Sequence, residues 1–405
     1  MRPRSRCDVT PNIEYVVAKW LDLIAEITSG YTTQSDEQNA FRSDTAHWRA
    51  VVHQVDVLSR QRRRCEMKAF PSSRLLAVAS AVLTLALLVP ASAYAQLNGG
   101  NILGDTGVDS GTQPPPGFWV GGFYYRYYTD QIRKADGSKL TIDPSQRASG
   151  TFPGAAPTFL YISTAKILGA NYGALVAPTV MRGALEAPGF GLDREIATDI
   201  GDTYIVPLQL GWHLPQADFV ASAGAWVPTG RYTAGAFNNT GKGMWSWEAA
   251  GGSTLFLDPR RTWSVATTAF YETHSKKTGG AIAINDSLSL GDVTVGDILS
   301  LEGGLAREFA GGLAHAGVAY YAQWKVTDDT FTVSGTMPGF TGFAPPPNHR
   351  VFGLGPDVTI PIGNKSMLFF VVNARYFWEL GAEVKTQGQS LIVSASVPVP
   401  SLKSK

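Results

Sequence analysis

The feature that most constrains the fold of this chain is a strict alternation of apolar and polar residues in several long segments. In residues 367–380 every even position is apolar, and the odd positions near the end include Arg375 and Glu379. Residues 203–214 and 314–326 follow the same rule. Because successive side chains of a β-strand point to opposite faces, each segment is predicted to be a strand with one wholly apolar face.

Two properties of these strands favour a membrane barrel over a soluble β-sandwich, which would also alternate. The segments are about 10–14 residues long, the length that a tilted strand needs to cross a bilayer. Their apolar faces carry tryptophan near the strand ends, as at Trp212, Trp324 and Trp378. Aromatic side chains at these places meet the interface between lipid and water.

The connections between the predicted strands alternate between tight turns and long loops. The tight turns are 168–172, 214–218, 258–261, 309–313 and 361–365. The long loops lie near 130–157, 184–202, 231–243, 275–296 and 328–348, with a shorter one near 381–387. Short turns at one end and long loops at the other are typical of outer-membrane barrels. The predicted fold class is therefore all-β: a transmembrane antiparallel up-and-down β-barrel of about 12 strands, of the bacterial outer-membrane type, within residues 117–400.

A segment with the pattern of a secretory signal peptide precedes the barrel, at residues 67–95. A basic start that includes Lys68 is followed by the uncharged apolar stretch Leu75–Val89 and an A-x-A site. Cleavage is expected between Ala95 and Gln96. The apolar stretch is shorter than the roughly 20 residues of a membrane-spanning helix, so a cleaved signal is favoured over a signal anchor or a buried helix.

Residues 1–66 precede this signal and are expected to be an over-extended gene start with no folded domain, because a cytoplasmic prefix is hard to reconcile with export. Both cysteines, Cys7 and Cys65, lie there. The exported part is therefore expected to lack disulfides and thiolate metal sites. With 34 Lys and Arg against 33 Asp and Glu, the chain has no basic surplus that would indicate nucleic acid as a partner.

The order of several motifs across the exported chain resembles a known family. The motifs are PPPGFWVGGFYYRYYTD at the first strand, VPTGRY at 227–232, TVGDILSLEGGLAREF at 294–309, AYYAQWKVTDD at 319–329, GLGPDVTIPIG at 353–363 and NARYFWELGAEVKTQGQSLIV at 373–393. The family is that of outer-membrane transporters associated with meta-pathway phenol degradation, a group often compared with fatty-acid and hydrocarbon transporters. The resemblance implies an outer-membrane protein that passes small, largely hydrophobic or aromatic compounds. Many outer-membrane barrels end on an aromatic residue that the assembly machinery reads, whereas this chain ends in VPVPSLKSK.

Ionisable residues on the polar faces of the predicted strands are expected to line the barrel interior. They are Arg126, His213, Glu248, Glu272, Glu302, His315, Lys325, Arg375 and Glu379. Such residues either contact solutes or pair with one another and fill the space, and both interpretations stay open. Arg375 and Glu379 lie four residues apart on one strand face, so both are expected to point inwards near the extracellular mouth.

Whether the interior is open is expected to depend on small inward residues and on the Gly- and Pro-rich stretch 96–116. Gly122, Gly173, Gly211 and Gly304 favour a conduit over a closed barrel. The stretch 96–116 is assigned as a periplasmic N-terminal segment, either a tail or a small plug folded inwards.

Two of the long loops, 183–193 and 331–347, contain Gly, Phe and Pro. They are either apolar access sites for a ligand or mobile surface loops.

The sequence therefore predicts a channel for diffusive uptake of small hydrophobic or aromatic compounds such as phenol. The alternative is a structural or ligand-binding outer-membrane barrel with a closed lumen. An enzyme is not expected, because the exported histidines lie in no H-x-S-N-like run or metal-ligand spacing and no G-x-S-x-G elbow is present; they are His213, His274, His315 and His349. No cofactor or metal is expected. The expected partners are outer-membrane lipid, the solutes and the outer-membrane assembly machinery, with no nucleic acid.

Overall fold

The computed structural model describes residues 97–399, except for 141–147, 188–191, 237, 279–281, 286–287, 310, 312–313, 336–346 and 364–367. Four of the sequence expectations fall on residues outside this set. They concern region 1–66, the signal peptide 67–95, the cleavage site Ala95–Gln96 and most of the loop 331–347. These expectations remain predictions.

The described chain consists of β-strands, turns and loops, with a single 3-10 turn at Gly107–Asp109. The strands are β1 (Gly117–Ile132), β2 (Ser149–Ile167), β3 (Ala170–Ala177), β4 (Val180–Ala187), β5 (Leu192–Ile200), β6 (Thr203–Leu214), β7 (Ala217–Val227), β8 (Ser246–Phe256), β9 (Trp263–His274), β10 (Ile282–Asn285), β11 (Leu288–Thr294), β12 (Ile298–Phe309), β13 (Ala314–Lys325), β14 (Thr330–Gly335), β15 (Arg350–Gly363), β16 (Leu368–Glu383) and β17 (Thr386–Val399).

Twelve of these strands close into one antiparallel barrel. Around the wall the order is β1, β2, β3, β6, β7, β8, β9, β12, β13, β15, β16 and β17, and β17 pairs back with β1. Strands β4 and β5 form a hairpin, in which β4 pairs with the first half of β2 while β3 pairs with its second half. Strands β10, β11 and β14 form a small separate sheet. The predicted all-β, up-and-down barrel of twelve strands is confirmed.

The outer surface of the barrel carries an apolar belt with aromatic residues near its edges. Val318 and Leu305, in the middle of their strands, are 50% and 46% exposed. Trp378, Trp247 and Trp263 lie exposed nearer to strand ends. This is the surface that a lipid bilayer covers. Among the described residues, no helix has the length and apolar character needed to cross a membrane.

The two ends of the barrel differ. At one end, which we call the short-turn end, neighbouring strands are joined by turns such as Leu168–Gly169, where both residues have positive φ angles of 51° and 82°. Such turns match the twist of the flanking strands. At the opposite, long-loop end, β1 continues to Ile132 and β2 begins at Ser149, so both strands extend into the stretch 130–157 for which the sequence predicts a loop.

The register between neighbouring strands is unbroken from β7 to β15 and shifts among β2, β3, β6 and β7. The shift in β6 lies just before Leu208, at Pro207, which has no N–H to donate to the sheet. It turns Val206 into the lumen, where it is 4% exposed, and leaves Leu208 outside. Tyr204 also points inwards, to a lumen carboxylate. The prediction that Tyr204 and Val206 share the lipid face with Leu208 is therefore wrong, because the extra residue resets the alternation.

A second irregularity lies between β2 and the break that separates β3 from β4. Pro157 of β2 and Pro178 in that break lie opposite each other, at a point where the strand pairing is interrupted. Proline removes a donor from the sheet. The wall is consequently less continuous here than on the opposite side.

The chain before β1 lies inside the barrel. Leu97 packs against Ile298 at the long-loop end, and the Thr112 hydroxyl donates to Asp218 at 3.2 Å near the short-turn end. Residues 97–113, which we call the lumen segment, thus run the length of the barrel interior. Of the two alternatives for 96–116, the described residues show the plug folded inwards and not the periplasmic tail.

Candidate functional site

Buried carboxylates that project inwards from the wall hold the lumen segment. Glu302 of β12 is fully buried. It accepts the backbone N–H groups of Gly104 at 3.0 Å and Thr106 at 3.3 Å, and the Thr106 hydroxyl at 2.9 Å. A buried charge requires hydrogen-bond partners, and the segment supplies them.

Two further wall carboxylates bind the segment in the same way. Glu272 of β9 accepts the N–H of Gly100 at 2.7 Å. Asp357 of β15 accepts the N–H of Val108 at 2.9 Å and pairs with Arg375 of β16 at 3.0 Å. Hydrogen bonds to ionised groups are about twice as strong as neutral ones, so these contacts fix the height of the segment in the barrel.

Arg375 and two glycines complete this attachment. The guanidinium donates to the carbonyl oxygens of Gly104, at 3.0 Å, and Asp105. Gly104 and Gly107 have φ angles of 82° and 59°, which side chains rarely adopt. A Cβ at Gly107 would also lie 2.1 Å from a carboxylate oxygen of Asp357. Glycine is therefore required where the segment turns against the wall.

The lumen segment also closes an apolar core inside the barrel. Val108 is completely buried and belongs to a cluster with wall residues of β12, β13, β15, β16 and β17. The buried wall members are Ala306, Ala319, Tyr321, Val351, Phe377, Ala382 and Ile392. An open porin instead keeps a polar, water-filled interior.

A small cavity remains on the side of the segment that faces β1, β2 and β4. Ile102 of the segment, Phe123 and Tyr125 of β1, and Met181 of β4 line it. The stretch Gly154–Ala156 of β2, with Thr179, completes the lining. The side chains around this space are mainly apolar, in contrast to the carboxylates on the opposite side of the segment.

A serine, a histidine and an aspartate form a hydrogen-bonded chain near the short-turn end. His315 lies 3.1 Å from the Ser264 hydroxyl through Nε2, and 2.9 Å from Asp109 of the segment through Nδ1. Ser264 is 1% exposed and is paired with β8 on one side and β12 on the other, where the sheet uses the backbone N–H groups. A catalytic nucleophile needs access to substrate and hydrogen-bond donors for an oxyanion. We therefore interpret these three hydrogen-bonded side chains as a structural group that holds Asp109 in place.

Of the nine residues predicted to line the interior, eight point into the lumen or its mouth. They are His213, Glu248, Glu272, Glu302, His315, Lys325, Arg375 and Glu379. Within the described residues they contact the lumen segment or other wall residues, as in the pair of His213 with Asp218 at 3.3 Å.

Arg126 is the exception, and its predicted position is wrong. It is exposed on the outer face of β1, whereas Trp119 is buried and Tyr127 donates inwards to Glu379 at 2.7 Å. The aromatic face of β1 turns inwards because the lumen contains a protein core. A long arginine side chain near the barrel rim can extend along the surface to the interface.

Arg375 and Glu379 both point inwards, as predicted, but they have different partners. Four residues along a strand span about 13 Å, whereas Asp357 lies directly across from Arg375 on β15. Glu379 accepts the hydroxyls of Tyr127 and Tyr321.

The glycines that favour a conduit in the sequence provide room for the lumen segment. Gly173 and Gly211 lie against Gln113, and Gly304 lies against Val108. Gly122 is exposed on the outer face. The absence of side chains at the three inward positions therefore accommodates the segment.

Several residues of this site carry no clear signal in the sequence. Asp357 lies in a predicted strand, but Pro356 and Gly355 obscure its alternation. Lys242 and Lys385 lie in connections, for which period-two counting gives no orientation. The described residues contain no cluster of three or more potential metal ligands.

A closed barrel with an apolar outer belt, short turns at one end and long loops at the other defines the class of outer-membrane β-barrel proteins. The family described as "Putative MetA-pathway of phenol degradation" matches residues 129–395, and the chain belongs to this family. No curated protein sequence matches the chain significantly.

Solved outer-membrane structures are similar to this barrel. The COG4313 outer membrane channel from Pseudomonas putida F1 has a TM-score of 0.55 and 14% identity, over 74% of this chain and 99% of that one. The Pseudomonas putida toluene transporter TodX has a TM-score of 0.40 and 11% identity, over 74% of this chain and 95% of that one. The first likeness confirms the fold.

Proposed function

We propose that the protein is an outer-membrane channel through which small hydrophobic or aromatic compounds, such as phenol, diffuse. Membership of a phenol-degradation family supports this, and the similar structure from Pseudomonas putida F1 is described as an outer membrane channel. Insertion by the outer-membrane assembly machinery belongs to the same proposal.

The observation that carries the proposal is the uneven filling of the lumen. On one side the segment is fastened by Glu272, Glu302 and Asp357. On the other side Ile102 meets an apolar wall and the cavity beside Met181. A path along this second side breaks no charged contact.

Such a path would select solutes by polarity. A sugar would lose hydrogen bonds to water without finding replacements among Phe123, Met181 and Ile102, and each lost bond is costly. An aromatic ring gains from the same surroundings, since apolar pockets with few polar groups suit such ligands.

The test is solute entry into liposomes that contain protein expressed from Met67. Entry of phenol is compared with that of a sugar of similar size, and protein-free liposomes correct for the permeation of phenol through lipid. The matched variants are Ala156→Trp, which fills the cavity, and Ala156→Ser, which hardly changes its volume. We expect the protein to accelerate phenol more than the sugar, and Ala156→Trp to remove that acceleration while Ala156→Ser retains it.

Other outcomes contradict the proposal in different ways. Equal acceleration of both solutes would show a general pore. No acceleration of either, with both variants folded as judged by heat-modifiable gel mobility, would favour the alternative that the filled lumen also suggests, a closed structural or ligand-binding barrel.

A further inference from the structure

Four lysines from separate parts of the chain converge at the long-loop end of the lumen. Lys242 precedes β8, Lys277 follows β9, Lys325 ends β13, and Lys385 lies in the turn between β16 and β17. We call this group the lysine collar. It surrounds the end of the lumen segment at Leu97.

Hydrogen bonds hold the four ammonium groups close enough for their charges to act on one another. Lys325 donates to the carbonyl of Leu97 at 3.0 Å, and Lys242 donates to the next carbonyl, that of Asn98, at 3.3 Å. Lys277 donates to the backbone carbonyl of Lys242 at 2.7 Å.

Lys385 joins this group through a residue of β13. It donates to the side chain of Gln323, which precedes Lys325 by two residues on the inward face of β13. His349 approaches the same Gln323 oxygen at 3.3 Å.

The positive charge of the collar is incompletely neutralised. Lys325 contacts both oxygens of Asp329 at 2.7 Å. Within the part of the chain that the structure describes, Lys242, Lys277 and Lys385 have no carboxylate within ion-pair distance. An ammonium group has three donors, and the described hydrogen bonds use one on each of these three lysines. Lys277 also lies over the ring of Tyr232, 5.2 Å from its centroid.

The nearby acids are engaged elsewhere. Asp202 accepts the backbone N–H groups of Gly230 and Lys242. Glu379 accepts two tyrosine hydroxyls and the N–H of Gly388. Glu272, which lies near Lys242 and Lys385, accepts the N–H groups of Gly100 and Asn101. None of these three carboxylates is within ion-pair distance of Lys242, Lys277 or Lys385 in the described structure, so the spare donors of these lysines remain available.

A buried histidine adds an independent observation. His274, the last residue of β9, is 7% exposed, and among the described residues neither ring nitrogen makes a hydrogen bond of standard geometry, although the backbone of Val295 and Gly296 lies close to the ring. Its side chain is on the inward face of β9, three residues before Lys277. An unpaired buried polar group is costly, which points to a ligand that supplies the missing partner.

The pKa values of the collar reflect ammonium groups that are buried close to one another. Burial, assisted by the neighbouring Lys242 ammonium, lowers the pKa of Lys277 to about 7. Burial also lowers the pKa of Lys385 to about 8, although Glu379 opposes the change. An anion between these groups would favour their charged forms.

We propose that the lysine collar is a binding site for the carboxylate of a small aromatic acid. The ammonium groups would bind the carboxylate oxygens, and the apolar cluster of Leu97, Met244, Val295 and Ile298 lies beside them for the ring. The collar faces the lumen, so the phosphate groups of membrane lipids do not reach it. This proposal concerns recognition of charge at the mouth and goes beyond passage of neutral compounds.

The experiment measures binding of benzoate to the full protein in detergent by titration calorimetry at pH 6.5. Benzyl alcohol, benzylamine and inorganic phosphate serve as the neutral, cationic and ring-free probes. The test variant is the double change Lys277→Gln with Lys385→Gln, and the rescue variant carries arginine at both positions. Lys276→Gln is the matched control, because Lys276 neighbours the collar but pairs with Asp292 at 3.3 Å on the exposed surface.

We expect benzoate to bind at least about tenfold more weakly to the double glutamine variant, a loss of about 1.4 kcal/mol. The arginine variant and Lys276→Gln should bind as the unchanged protein does. Equal binding of benzoate to all variants, or equal binding of benzyl alcohol and benzoate, would overturn the site. Phosphate that binds as tightly as benzoate would overturn the assignment to aromatic acids.

Heat-modifiable gel mobility confirms that each variant is folded. Because binding and solute entry are separate measurements, the site and the proposed channel function succeed or fail independently.

Discussion

The two sides of the barrel wall differ both in regularity and in what they present to the lumen. From β7 to β15 the register is unbroken, and this regular side supplies Glu272, Glu302 and Asp357 to the lumen segment. From β2 to β6 the register shifts and prolines interrupt the pairing, and this irregular side borders the apolar cavity. The charged residues that hold the lumen segment therefore lie on strands of unbroken register, whereas the apolar cavity lies where the wall is least continuous.

The largest effect should come from a cation on the lipid face of the regular side. Val318 is half exposed in the middle of β13, so Val318→Arg places a charge near the bilayer midplane, at a cost of about 2–4 kcal/mol. We expect little folded protein in the outer membrane, measured by heat-modifiable gel mobility. Val318→Ile is the matched control. Normal assembly of the arginine variant would show that the outward face of the regular side is wrongly assigned.

Removal of residues 97–111 should abolish the difference between the two sides of the lumen, because it removes most of the lumen segment from both. A barrel of twelve strands is wide enough for small solutes once its filling is lost, so sugar entry should rise by about tenfold or more. Liposome swelling measures this rise, and the preference for phenol should disappear. If sugar entry stays at the level of the full chain, the segment is not what closes the barrel.

Glu302→Gln should loosen the segment on the regular side only. The change removes the charge that accepts two N–H groups and a hydroxyl, at a cost of about 1–3 kcal/mol. We expect faster hydrogen exchange at Gly104 and Thr106 with normal assembly. Glu248→Gln is the control, since the Glu248 carboxylate accepts the Tyr204 hydroxyl and not the segment. Equal acceleration in both variants would contradict a specific attachment at Glu302.

The smallest expected effect is the pH dependence of benzoate binding at the collar, above both sides of the wall. Lys277, with a pKa of about 7, has Lys242, Lys325, Asp202 and Asp329 as its charged neighbours. The protonated lysine is the form that binds an anion. Affinity should therefore be highest below pH 7 and fall several-fold as the pH rises through 7 to 8.

A second lysine, Lys385, contributes to the same pH dependence. Lys385, with a pKa of about 8, has Lys242, Lys325, Glu379 and Glu272 as its charged neighbours. Further titratable groups near the collar are His274, His349, Asp297 and Asp328. Calorimetry between pH 6 and 9 gives the profile. The double glutamine variant should show a flat profile, and a fall of the same size in that variant would assign the pH dependence to other groups.

Sequence alternation predicts orientation well on the regular side. Glu272, Glu302 and Lys325 point inwards as predicted, because no bulge interrupts the strands between them. The same counting fails before Pro207, at Tyr204 and Val206, because one extra residue exchanges the two faces of β6. The alternation of residues therefore predicts which way a side chain points only where the register of its strand is unbroken.

The error at Arg126 has another cause. The prediction assigns aromatic residues to the lipid face, which presupposes water in the lumen. Tyr125 and Phe123 instead border the core that Val108 completes. The contacts that build this core join distant positions: Gly104 and Glu302 are 198 residues apart. No local pattern in the sequence could predict that pairing.

The direction of the lumen segment has a consequence for the order of events in biogenesis. The segment runs from the start of β1, at the short-turn end, to Leu97 beside the opposite mouth. If the predicted cleavage at Ala95–Gln96 takes place, it leaves a free leading end close to residue 97, which can enter the barrel. Maturation and occlusion would thus be a single sequence of steps, in which the protein leaves the inner membrane before its own terminus closes the barrel.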